Sequence, residues 1–78
     1  MGYTMNLVAL NKHANPQLLG VQLGGICIAT NIPVAKVAAK LGTSRQAVYG
    51  WFTGRNDVSK HLREKVEALC ISLKSQYS

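Results

Sequence analysis

The sequence predicts a small all-α domain of four or five helices, centred on two short helices joined by a glycine turn. Three observations predict it. Apolar residues recur at three- and four-residue intervals along most of the 78-residue chain, which is the spacing of helix faces. Helix punctuation falls between these blocks: Asn15-Pro16, Asn31 before Pro33, Gly42 before Thr43-Ser44, and the Gly54–Asp57 run. Within residues 34–54, Ala38, Gly42 and Val48 are spaced for two helices that cross steeply over a small shared core, a helix-turn-helix.

Taken in order, residues 1–14 form an N-terminal arm or a short extra element. Met5 to Leu10 reads as a short strand, as a helix capped by Thr4 or as an ordered arm, against a frayed tail. Asn15 is a favoured N-cap and Pro16 a favoured first residue, so a helix is expected from about 16 to 30. Leu19, Leu23, Ile26 and Thr30 mark one face of it. Gly20, Gly24 and Gly25 weaken that helix by up to about 1 kcal/mol each against Ala, and they suit the close approach of a neighbour. Asn31 fits a left-handed cap, and Pro33 prevents simple continuation.

The next helix is expected over about 33–41, with Val37, Ala38 and Leu41 inward and Lys36 and Lys40 outward. Gly42 ends it, and Thr43 or Ser44 caps a helix over about 44–53 with Val48 and Trp51 inward. Gly54-Arg55-Asn56-Asp57 is a turn by composition. Ser59 or Asp57 then caps a last helix to about Ser75, with Leu62, Val66, Leu69 and Leu73 as its apolar stripe. Lys60–Glu64 and Arg63–Glu67 are i, i+4 pairs worth only tenths of a kcal/mol. Residues 76–78 are a tail, so the core domain spans 15–75.

Charge narrows the function. The formal net charge is +6, and the only acids are Asp57, Glu64 and Glu67. Residues 1–56 carry Lys12, Lys36, Lys40, Arg45 and Arg55 with no acid, a layout that suits a polyanion. Three acids and two histidines form no acid–base or metal constellation, so no enzyme, metal, cofactor or small-molecule ligand is expected. His61, beside Lys60 and Arg63, reads as surface or phosphate-facing. Cys27 and Cys70 lie in apolar helical patterns, as buried free thiols do. No apolar run approaches the roughly 20 residues of a membrane span, and the order of charge and apolar residues at the N-terminus argues against a secretion signal.

The pattern Val37-Ala38-x-x-Leu41-Gly42-Thr43-Ser44-Arg45-x-x-Val48-x-x-Trp51-x-x-Gly54 resembles the Cro/repressor-type (XRE) helix-turn-helix family of phage and bacterial regulators. The resemblance covers residues 19–73 and implies a compact lambda-repressor-like fold. It also implies a transcriptional regulator in the cytoplasm of a bacterial host cell. Such proteins usually bind operator DNA as dimers. Three positions depart from the pattern. Val34 stands where a Gln often contacts phosphate. Cys27 and Phe52 stand where many members pair an Arg with a Glu, and replacing both partners by apolar groups can be neutral or better. These two side chains are therefore expected to touch. Gly50 interrupts the expected recognition helix; a close DNA backbone or a bulky neighbour would require it there, and simple tolerance is the alternative.

Major-groove edges are read from the N-terminus and outer face of a recognition helix. The base-reading positions are then Ser44, Arg45, Gln46, Tyr49, Gly50 and Thr53. Arg45 suits a bidentate pair with guanine, Gln46 with adenine, and Tyr49 a thymine methyl or a phosphate. Lys36, Thr43, Arg55, Asn56 and Lys60 are the expected phosphate contacts. Lys40 and Lys12 fit solvent equally well, and Arg63, Lys65 and Lys74 are expected to meet acids or solvent. A homodimer is expected through the last helix and the C-terminal tail (Leu69, Ile71, Leu73, Tyr77), with the N-terminal apolar run as the other surface. A Cro-like repressor is the leading reading. A protein-interaction module, antitoxin-like or polymerase-binding, and an accessory factor in excision or recombination are the alternatives. RNA is disfavoured by the lack of an aromatic platform.

Overall fold

The computed structural model describes residues 3–77, with side chains through Gln76. Five α-helices follow one another: α1 Met5–His13, α2 Leu19–Thr30, α3 Val34–Leu41, α4 Arg45–Phe52 and α5 Arg63–Tyr77. A 3₁₀ turn, Lys60–Leu62, leads into α5. No strand occurs among the described residues, so the all-α expectation holds.

The arm resolves as a helix for a local reason. The Thr4 hydroxyl accepts the Leu7 N–H at 3.2 Å, and Thr4 is in extended conformation as an N-cap requires. Four contacts tie this segment to the body. Tyr3 donates its hydroxyl hydrogen to the Ile32 carbonyl, and its ring tilts over Phe52 with centroids 6.2 Å apart. Asn11 Nδ2 donates to the carbonyls of Phe52 at 2.6 Å and Val21 at 3.1 Å.

Helix α2 starts three residues later than Pro16 suggests. Asn15 Oδ1 accepts the Gln17 N–H at 2.9 Å, and its carbonyl accepts the Leu18 N–H. This asparagine therefore closes a local turn instead of capping the helix. The inner face of α2 also differs from the expected Leu19, Leu23, Ile26 and Thr30. Its buried residues are Gly20, Val21, Leu23, Gly24 and Cys27. Contact with α4 selects the smallest side chains. A Cβ on Gly20 would lie 2.5 Å from Trp51 Cβ, and one on Gly24 would lie 2.9 Å from Phe52 Cγ.

Three successive helices end the same way. Asn31, Gly42 and Gly54 have φ of 60°, 68° and 76°, and the residue after each donates back to the carbonyl five positions earlier: Ile32 to Cys27, Thr43 to Ala38 and Arg55 to Gly50. Left-handed backbone costs glycine nothing and asparagine little, so three of the four punctuation sites of the sequence become turns of one kind. Ser44 then caps α4 by accepting the Ala47 N–H at 3.1 Å.

The core is filled by Phe52, Leu23, Val48, Val66 and Cys27, all essentially inaccessible. Cys27 and Phe52 share this cluster, with the Phe52 ring seated on Gly24, one turn before Cys27. Leu62, Val66, Leu69 and Leu73 are buried as the stripe predicts. Leu69 and Leu73 are thus used inside the protomer and leave Ile71 as the large exposed apolar residue of α5. The side chain of Tyr77 lies outside the described residues, as do Met1, Gly2 and Ser78. Arg63 pairs with Glu67 at 3.7 Å and Asp57 at 3.9 Å. Lys60 and Glu64 do not pair, because Lys60 sits in the 3₁₀ turn, where i, i+4 residues are not aligned. Among the described residues no helix is long and apolar enough to cross a membrane.

Candidate nucleic-acid interface

Helices α3 and α4, joined by the Gly42 turn, form a helix-turn-helix-like pair, and the two faces of α4 are distinct. Val48, Trp51 and Phe52 are buried. Ser44, Arg45, Gln46 and Tyr49 are exposed, at the N-terminal end and along the outer side. The Ser44 hydroxyl oxygen is occupied as a cap, which leaves its hydrogen free to donate.

The outer face continues into an open groove of about 610 Å³. Gln46, Gly50 and Thr53 line its floor, with Tyr49 beside them, while Leu7 and Leu10 of α1 form one wall and Arg55 and Asn56 the other. This floor is polar but partly committed. Thr53 Oγ1 donates to the Tyr49 carbonyl at 2.9 Å, so its hydrogen is spent within the helix. Gly50 is buried, and a Cβ there would lie 2.8 Å from Asn56 Nδ2. The glycine therefore makes room for the Asn56 side chain. Of the reasons the sequence offered for a glycine here, a neighbouring side chain is the one the structure supplies.

The expected phosphate contacts do not form one group. Arg55 and Asn56 flank the α4 groove. Thr43 is half-buried at the turn between α3 and α4. Lys60 is exposed in the 3₁₀ turn. Lys36 lies with Lys40 in a separate concavity between α3 and α5, lined also by Ile32 and Leu73. The structure thus brings Gln46, Tyr49, Thr53, Arg55 and Asn56 together, places Ser44 and Arg45 at their leading edge, and leaves Lys36 apart.

Sequence reading missed α1 as a wall of this groove. The Thr4 cap with Leu7, Asn11 and Ala14 at helical spacing marks one side of a helix, but not what that side meets. Comparison of the chain with family models, curated proteins and solved structures found no match.

Burial controls the titration of the interior groups. It pushes Cys27 up to about 12, with the nearby Cys70 adding to the effect. Tyr3 is likewise raised to about 12, chiefly by burial and then by Cys27 and Tyr49. Cys70 is raised by burial, with Lys74 opposing and Glu67 reinforcing. Thiols held protonated in this way are poor nucleophiles and poor metal ligands. Among the described residues no group of three His, Cys, Asp or Glu side chains could hold a metal ion.

Proposed function

We propose that the protein is a sequence-specific double-stranded DNA-binding regulator of transcription, a Cro-like repressor that inserts the start of α4 into the major groove. One observation carries this reading: Ser44, Arg45 and Gln46 stand exposed at the start of the second helix of a helix-turn-helix-like pair. The absence of any acid before Asp57 supports it. So does Arg55 at the rim, since cations placed beside a base-reading helix hold it to the phosphates. Under this reading Arg45 pairs with guanine, Gln46 with adenine, and Arg55 and Asn56 grip the backbone. Membership of the Cro/repressor-type family belongs to the same proposal.

One protomer supplies few base contacts, so a homodimer on an inverted repeat completes the reading, with half-site centres about 34 Å apart. The exposed Ile71 on α5 is the feature on which a second copy would centre.

Selection of binding sites from random DNA, followed by titration on the selected duplex and on random duplex, tests the proposal. Palindromic sites should emerge. Arg45→Ala or Gln46→Ala should cost about 1–3 kcal/mol on the selected site and relax one base position. Arg55→Ala should weaken both duplexes alike and flatten the salt dependence. The proposal fails if no site is enriched, or if both kinds of variant behave the same on the two duplexes.

A further inference from the structure

We infer that α1 is a second DNA-contacting element, whose Asn6–Leu10–His13 row lies against one sugar–phosphate strand while α4 reads the groove beside it. The inference rests on the DNA-binding reading above and adds to it a contact surface outside the helix-turn-helix.

Placement comes first. Helix α1 packs chiefly on α2 and meets α4 at its C-terminal end. Leu7 shares a concavity with Tyr49, Leu10 shares the groove with Thr53 and Arg55, and the Ala14 Cβ lies 3.0 Å from where a Gly54 Cβ would be. Asn11 locks the helix there through its two hydrogen bonds to carbonyls, one of them on the last residue of α4. A wall held in this way keeps its position relative to the reading helix, as a contact surface must.

Chemistry comes second. Asn11 and Leu7 face the body, so the groove edge of α1 is the row through Leu10. That row includes Asn6 and His13, at i−4 and i+3 on the same side. Both are exposed. Asn6 brings an amide donor, and His13 brings a ring donor at the last residue of α1. No acid occurs in residues 1–56 to repel a phosphate. Asp57 is engaged by the Val58 N–H at 2.8 Å and by Arg63. Leu7 is already covered, so Leu10 and Tyr49, 45% and 46% exposed, are the large apolar side chains left open in this groove. A phosphate strand needs donors and positive charge: Asn6 and His13 bring donors, and Arg55, in the same groove as Leu10, brings the charge.

Charge substitutions test the idea with a gain as well as a loss. The readout is fluorescence anisotropy of full-length protein on a random-sequence duplex of about two helical turns. Asn6→Glu and His13→Glu should each weaken binding about three- to tenfold, and Asn6→Lys should tighten it by a similar factor with a steeper salt dependence. Ala29→Glu, an equal charge change on the exposed side of α2, away from both α4 and the proposed dimer surface, sets the effect of net charge alone. The gain from Asn6→Lys cannot come from misfolding. If wild type binds duplex and the α1 variants match Ala29→Glu and wild type, α1 is not a DNA contact, although the α4 reading stands. That result would leave the groove open to a protein partner. If no form binds duplex, both readings fall.

Discussion

The two sides of α4 face opposite physical demands. The side toward α2 is packed so closely that glycine is the residue that fits at positions 20 and 24. The side toward the groove has exposed polar side chains, half-spent hydrogen bonds and open space. Close packing fixes where the helix lies, and the open side leaves side chains free to meet something else. Side chains can read a partner only from a backbone that does not move, so the packed side is a precondition for the open one.

The largest expected effect comes from removing the anchor of the packed side. Phe52→Ala should cost about 3–5 kcal/mol, the range for deleting a buried aromatic. A chain of this length has only about 4–12 kcal/mol in total. The Phe52 ring also supports Tyr3 and covers Gly24, so loss of α1 packing should accompany it. Urea denaturation followed by Trp51 fluorescence measures the cost. A change under 1 kcal/mol would mean that the α2–α4 contact does not organise the core.

A smaller effect, with a sign change inside one helix, separates close approach from helix propensity. Gly20→Ala places a methyl 3.0 Å from the Trp51 backbone, which cannot move without shifting α4. It should destabilise by about 1–3 kcal/mol, and the melting temperature should drop by roughly 4–8 °C per kcal/mol. Gly25→Ala meets nothing closer than Asn11 Oδ1 at 3.8 Å. It should instead stabilise by up to about 1 kcal/mol, because alanine is the better helix former. Thermal melts of the two variants compare them directly, and equal shifts would remove the distinction.

How far these regions were legible follows from the same contrast. The ends of α2, α3 and α4 were readable because Asn31, Gly42 and Gly54 are residues that tolerate left-handed backbone, a local requirement visible in the residue type. The inner face of α5 was readable because Leu62, Val66, Leu69 and Leu73 repeat at helical spacing. On α2, Gly20 and Gly24 were legible as sites of close approach, but the inner face was drawn through Leu19, Ile26 and Thr30 because glycines carry no hydrophobic signal. Why position 50 is a glycine was left open for a related reason. Its partner Asn56 lies beyond a turn, and that fold-back is tertiary. The wall formed by α1 depends on Asn11 reaching carbonyls on two other helices, which no spacing within residues 1–14 reveals. The exposed row Ser44, Arg45 and Gln46 followed directly from the cap and the helix period.

The effect expected to vanish at neutral pH concerns the groups beneath α4. Cys27 and Tyr3 are both raised to about 12, from ordinary values of 9.0 and 10.0. Their interior sites favour the protonated forms, which the folded protein keeps while the unfolded chain releases its protons. Stability is therefore fully present below pH 9 and declines as pH rises through 9–12, because the unfolded state is stabilised by ionisation that the folded state resists. Urea midpoints across this range should fall more gently in Cys27→Val and in Tyr3→Phe than in wild type, once each is compared with its own value at pH 7. Tyr3→Phe also loses the hydrogen bond to Ile32, which lowers its stability at every pH by about 0.5–1.5 kcal/mol. The slope with pH, and not the midpoint at pH 7, isolates the buried ionisation. Parallel slopes in all three proteins would show that neither group is held protonated by the packing under α4.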